Sequence, residues 1–186
     1  MRWTPHYLPA NRPHAFLSAS KYHWIKYSED KLIHAFMTQL AAQKGTELHK
    51  LAADLIKHKI KLPDTGQTMN QYVNDAIGFM LEPEQVLFVS ENCYGTADAI
   101  GFRNNKLRVS DYKSGVTPTS FSQHKVYAAM FCMEYGFKPF DIEIEMRIYQ
   151  SDSVRIEIAD PDEITHIMDK IRTFDTLINT MKEEAL

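Results

Sequence analysis

Residues 95–115, GTADAIGFRNNKLRVSDYKSG, restrict the fold of this chain more than any other stretch. Two apolar runs flank Asn104-Asn105, and each carries acid at the end away from that pair. Asn tolerates the left-handed backbone conformation, so Asn-Asn reads as the two-residue turn of a β-hairpin. That turn fixes the register: Phe102 opposes Leu107, Ile100 opposes Val109, Asp98 opposes Asp111 and Thr96 opposes Lys113. Strand side chains alternate, so all eight are expected on one face. Ala97, Ala99 and Gly101 would form the other face, small enough for a helix to pack closely.

Directly opposed residues have Cβ atoms about 4.5–5.5 Å apart, and like charges there destabilise a sheet. Carboxylates at the rim of an apolar face therefore need compensation. A shared proton would supply it. So would a divalent cation, since two carboxylates with water and phosphate oxygen are a usual way to hold Mg²⁺. Lys113, two residues beyond Asp111, would reach a bound water or a phosphate. A lone D-x-K is common by chance and reads as a solvated strand end. The acid, the hairpin and the D-x-K in one register point to a site.

The rest of the chain supplies a frame. Ser20 is expected to cap a short helix through Lys26, and Ser28 a second from Glu29 to about Gln43. After Gly45 and Thr46, ELHKLAADLIKHKIKLP places Leu48, Leu51, Ala52, Leu55 and Ile56 at helical spacing, with Pro63 and Gly66 as its stop. Residues 69–81 predict another helix. QVLFVSEN, YGTADAIGF and KLRVSDYK read as strands, and TSFSQHKVYAAMFCMEYG as a helix stopped by Gly136. FDIEIEMRIYQ and SVRIEIAD read as a hairpin through Ser151–Ser153. Pro161 opens a long final helix with Ile164, Ile167, Met168, Ile171, Phe174 and Ile178 as its apolar stripe. The fold class is α/β, a mixed central sheet flanked by helices with core order αβββαβ. The 186 residues suit one domain: a helical extension over 1–43 whose opening residues 1–17 wrap a surface, a core over 44–150, and a strand and helix over 151–186.

The net charge of −3 gives no general positive field, so any contact with nucleic acid must run through a local patch or a bound metal. Cys93 and Cys132 form no CxxC pair and read as reduced, buried thiols. Pro5, Pro9 and Pro13 stand where a signal peptide needs an apolar run, and no segment has the length of a membrane span. These features lead to the expectation of a soluble, intracellular protein.

Three further residues join the candidates. His49 lies at the edge of its helix's apolar stripe. Alone it reads as a hydrogen-bonded boundary residue; beside two carboxylates it becomes a third ligand, and imidazole tilts such a site toward Mn²⁺ without excluding Mg²⁺. Gln123 and Tyr127 are four apart on one helix face, so together they would contact a substrate strand or support Lys113; separately, Tyr127 reads as core and Gln123 as exposed. Glu47 and Glu91 are nearby acids that read as solvent-facing, with Glu91 a candidate for supporting the ligands.

GTELH with His49, GTAD with Asp98, DYK with Asp111 and Lys113, and QHKVY with Gln123 and Tyr127 follow one another in order. From Gly45 to Tyr127 the chain resembles the RecB-type exonuclease branch of the PD-(D/E)XK nuclease superfamily, and LSASKYHWI is similar to openings of small phage-borne members. The second acid is Asp where Glu is commoner. The four cysteines that hold an iron–sulfur cluster in some relatives are missing, so no cluster is expected, and no helicase motifs accompany the nuclease ones, which suits a stand-alone domain.

The resemblance implies a restriction-endonuclease-like core and metal-dependent hydrolysis of phosphodiester bonds. His49, Asp98, Asp111 and the Tyr112 backbone carbonyl would hold Mg²⁺ or Mn²⁺. Asp98, Asp111 and Lys113 would be the catalytic set, and Gln123 and Tyr127 would bind substrate. Lys57, Lys59, Lys61 and Lys125 are candidates for extra phosphate contacts, or equally a solvated helix face. The expected activity is a DNA exonuclease on linear ends in recombination, repair or phage DNA processing, in the cytoplasm of a bacterial or phage-infected cell. A homo-oligomer or a recombination partner protein is compatible with it, and a membrane is not expected. An endonuclease, an RNA-directed nuclease of the same fold, and a catalytically silent DNA-binding or assembly protein are the alternatives.

Overall fold

The structure, a computed structural model, describes residues 15–184. All but the last three residues of the opening expected to wrap a surface lie outside that range. The described chain divides at Lys44/Gly45 into two compact units.

The first elements are helical, those up to Lys44 in the smaller unit and those after it in the larger. A short 3₁₀ helix spans Ala19–Lys26, with Ser18 rather than Ser20 at its N-cap position. Trp24 Nε1–H donates to the Ser18 carbonyl at 3.0 Å and holds that turn. Ser28 does cap the following helix: its Oγ accepts from the Lys31 N–H at 3.3 Å. That helix, α1 (Glu29–Lys57), is one element where the sequence suggested two. It also ends before Pro63. Lys59 takes a φ of 56°, and the Ile60 N–H closes back to the Leu55 carbonyl at 2.9 Å, a Schellman stop that needs no proline. α2 (Thr68–Phe79) ends the same way, at Met80.

The strands are β1 (Glu82–Ser90), β2 (Cys93–Arg103), β3 (Lys106–Lys113), β4 (Glu143–Gln150) and β5 (Ser153–Ile158). α3 (Ser122–Tyr135) connects β3 to β4, and α4 (Pro161–Glu184) follows β5. The sheet runs β1-β2-β3-β4-β5. β3 and β4 are parallel, as a helical crossover allows, and the other neighbours are antiparallel. This is the expected mixed sheet flanked by helices. Asn104-Asn105 and Ser151-Asp152 have positive φ at both positions, as two-residue type I′ turns require.

The β2–β3 register is as expected from Arg103–Lys106 to Ala99–Ser110, and there it stops. The expected Asp98–Asp111 and Thr96–Lys113 pairs do not form. Beyond Ser110, β3 continues only with β4, as far as Lys113–Gln150, while β2 continues only with β1. The two strands part like a fork.

The face assignment needs correction too. Ala97 packs with Leu87, Ile100, Leu107 and Val109 in the core that α3 and α4 cover. Ala99 packs with Ala52, Tyr72, Val73 and Tyr112 in the core under α1 and α2. Strict alternation would put both alanines on one face. It fails because no bridge joins Asp98 to Glu84, whose φ is 51°, so the β1–β2 ladder breaks at Asp98 and the side-chain order reverses.

Two glycines gain a reason from packing. Gly45 does not interrupt α1; a Cβ there would lie 3.1 Å from Ser114 Oγ, so its bareness lets the segment after β3 approach the helix. A Cβ on Gly101 would meet Leu81 Cδ2 at 2.9 Å and the Met80 carbonyl at 3.3 Å. Among the described residues no helix is long and apolar enough to cross a membrane.

Gly101→Ala is expected to lower unfolding stability by about 1–3 kcal/mol, the usual cost of overpacking. Gly78→Ala, on α2 with nothing within 4 Å of the new methyl, is expected to raise it by about 0.5–1 kcal/mol. Urea unfolding of the two variants beside the parent checks both signs.

Candidate metal centre

The fork between β2 and β3 receives side chains from three elements. His49 comes from α1, with its ring against that of Tyr112 (centroids 5.8 Å apart), which lies 6.1 Å from Tyr72 of α2. This aromatic set fixes the imidazole from below. Asp98 comes from the break in β2. Asp111 and Lys113 come from the end of β3 that has lost β2 as neighbour.

Potential ligand atoms of His49, Asp98 and Asp111 all lie within 4.8 Å of one another. The two carboxylates therefore meet, although by the opening of the fork and not by the direct cross-strand pairing expected. His49 Nδ1 stands 3.0 Å from Asp98 Oδ2. Lys113 Nζ stands 2.6 Å from Asp111 Oδ2. Asp111 is 5 % exposed, and neither of its oxygens accepts a well-oriented hydrogen bond. The lysine contact is close enough for charge attraction but misaligned for a bond.

The electrostatics split the pair. Burial pushes the Asp111 carboxyl up, the neighbouring Asp98 carboxyl pushes it further, and Lys113 opposes them, which leaves it pushed up to about 8. Burial also pushes Asp98 up, but its contact with His49, the neighbouring Asp111 carboxyl and the His49 and Lys113 charges outweigh that and bring it down to about 2. The bond to Asp98 raises His49 against the opposing effect of burial. Two carboxylates and an imidazole, with a buried carboxylate left without hydrogen-bond donors, are a donor set that could hold a metal ion.

The remaining candidates divide. Gln123 Oε1 accepts from Lys113 Nζ at 3.5 Å, Gln123 Nε2 donates to the Tyr127 hydroxyl at 3.3 Å, and that hydroxyl donates to the Thr96 carbonyl at 2.5 Å. The pair on α3 thus supports Lys113 and ties it to β2. Gly95 makes room for this, since a Cβ there would lie 3.2 Å from the Tyr127 ring. Tyr112 directs its side chain into the core under α1 and α2. Lys125 is committed to Glu157 at 2.9 Å and Glu163 at 2.8 Å, which removes it as a candidate phosphate contact. Lys57, Lys59 and Lys61 are exposed, as is Glu47. Glu91 sits in the β1–β2 turn, whose neighbours Ser90 and Asn92 bond Asp175 of α4, so it lies outside the cluster.

Sequence reasoning missed His124 and Ser110. Both line a cavity of about 10 Å³ with Asp98, Asp111, Gln123 and Tyr127. His124 Nε2–H donates to the Arg147 carbonyl at 3.1 Å, and burial pushes the imidazole down to about 4. A neutral ring thus backs the carboxylates. The only available signal was its place inside QHKVY, between the two residues that drew attention.

An unfolded Asp titrates at about 3.9, so Asp111 binds its proton more tightly in the folded state. Its contribution to stability is full below about pH 4 and is lost as pH rises through about 8. Asp98 acts oppositely: its contribution is present above about pH 4 and is lost as pH falls toward about 2. The metal-free protein is expected to lose melting temperature between about pH 5 and about pH 8. Mg²⁺ or Mn²⁺ restores it, and Asp111→Asn flattens both effects. A parent melting temperature at pH 8 that does not move with millimolar Mn²⁺ would contradict this.

Scans against protein-family models and against curated proteins give no match for this chain.

Proposed function

We propose that the chain is a divalent-metal-dependent nuclease of the PD-(D/E)XK type that hydrolyses DNA phosphodiester bonds, with free ends of linear DNA as its preferred substrate. Recombination, repair or phage DNA processing, in the cytoplasm of a bacterial or phage-infected cell, is the proposed setting. One observation carries the reading. His49, Asp98 and Asp111, from distant parts of the sequence, bring ligand atoms within 4.8 Å of one another, and a lysine contacts the second acid.

A cation held by His49, Asp98 and Asp111, with the Tyr112 carbonyl as a further proposed ligand, would supply a water of lowered pKa and neutralise charge growing on the phosphate. Lys113 is the second source of positive charge. Its side chain is about a quarter exposed, so its ammonium can face the substrate while it neutralises Asp111. There it orients the attacking water and stabilises the pentacovalent phosphorus through charge. Gln123 and Tyr127 hold Lys113 at this post through the chain of bonds to Thr96. Concentrating attraction for phosphate at one point suits a protein of net charge −3.

End-labelled linear DNA and closed circular DNA, incubated with Mg²⁺ or Mn²⁺, test the reading. Loss of the linear DNA alone is expected. Lys113→Ala should slow it at least about 100-fold, the scale for losing a preorganised charge partner, and Asp111→Ala should abolish it. Cutting of circles would replace the exonuclease by an endonuclease of the same chemistry. Binding without cleavage in either metal would overturn the enzymatic reading.

A further inference from the structure

The β1–β2 hairpin presents a surface that the metal centre does not use. One of its faces packs under α3: Leu87 is buried, and Val89 and Cys93 pack against the same core. The opposite face carries Val86 and Phe88 from β1 and Tyr94 and Thr96 from β2. Val86 pairs with Thr96, and Phe88 with Tyr94. Phe88 is 47 % exposed and Tyr94 65 %, with ring centroids 6.2 Å apart and planes 21° from parallel. The hairpin is therefore apolar on both faces yet buries only one, and a contiguous exposed aromatic patch of this kind marks a binding surface.

Its position says what binds. Tyr94 and Thr96 lie on β2 just ahead of Asp98, so the strand leads from the patch to the cluster. At about 3.3 Å per residue, Tyr94 lies about 13 Å from Asp98. The Thr96 carbonyl already anchors Tyr127. A ligand that follows β2 from this surface meets flat aromatic rings first, then Asp98 of the candidate cation site. An unpaired nucleotide has the matching parts, a π-face joined to a phosphate. Bases in a duplex are stacked on one another and cannot offer that face, whereas those of a single strand can. Stacking also grips without charge, which suits this acidic chain. Edge-to-edge pairing with a second copy is a poorer fit, because the Phe88 N–H on edge strand β1 is already taken by the Glu134 carboxylate at 2.9 Å.

We propose that the exposed β1–β2 face, centred on Phe88 and Tyr94, is a base-stacking platform for single-stranded nucleic acid, which it leads to the His49–Asp98–Asp111 cluster. This rests on the nuclease reading for what happens at the cluster, but binding can be measured without turnover. The test is fluorescence anisotropy of the full chain with a labelled single-stranded oligonucleotide and with its duplex, in EDTA and in Ca²⁺. The parent is expected to prefer the single strand. Tyr94→Ala and Phe88→Ala should each weaken that binding about 5- to 150-fold, the range for losing one stacked base. Tyr94→Phe should keep it, and the Mn²⁺ affinity and melting temperature of all three variants should match the parent. Equal single-strand affinity in both alanine variants, or no single-strand binding by the parent, overturns the proposal. So does sedimentation showing a dimer that Tyr94→Ala dissociates, which gives the face to a second copy. If the platform binds as described and no metal supports cleavage, the nuclease reading fails and this one stands.

Discussion

Two carboxylates share one buried space at the point where β2 parts from β3, and the surrounding structure is arranged around the cost of that. Neighbouring strands normally stay paired along their length. Here β3 takes β4 as a parallel partner to its last residue, while β2 follows β1. The wedge left between them is where Asp98 and Asp111 converge. His49 enters from one layer of helices, and Lys113 is braced from the other by Gln123 and Tyr127. Tyr72 and Tyr112 set the floor beneath the imidazole.

Burial and proximity displace the two acids in opposite directions. Like charges this close cannot both ionise without a counter-charge, so one carboxyl is held low by its partners and the other is forced high by burial and by the first. Without metal, a retained proton on Asp111 satisfies the pair. A divalent cation would satisfy it better, because it would also engage the oxygens of Asp111 that accept no hydrogen bond. The shared proton and a cation would thus be two states of one site. His124, neutral and buried behind the carboxylates, adds no charge to either state.

Much of this was legible in the sequence, for physical reasons. Asn104-Asn105 set the hairpin register because few residue pairs accept left-handed backbone twice in succession. The hydrophobic period separated strands from helices, and the grouping of His49 with the two acids followed from their chemistry. Strict alternation misled at Asp98, where a break in pairing reverses the faces, and no local residue announces such a break. Gly45 suggested a helix boundary because its cost inside a helix is visible in sequence, while the Ser114 contact that explains it is not. Lys125 looked available because its partners, Glu157 and Glu163, are more than thirty residues away. Phe88 and Tyr94 passed as ordinary strand residues. That they face solvent emerges only once Leu87 and Gly95 are seen to take the α3 side.

The account stands or falls on a cation held jointly by His49, Asp98 and Asp111. Titration of the protein with Mn²⁺, following the electron paramagnetic resonance of the free ion, measures that directly. Stoichiometric uptake near neutral pH is expected, with uptake lost in Asp98→Asn and weakened in His49→Ala. Uptake that is absent in the parent, or that persists unchanged in Asp98→Asn, would contradict it.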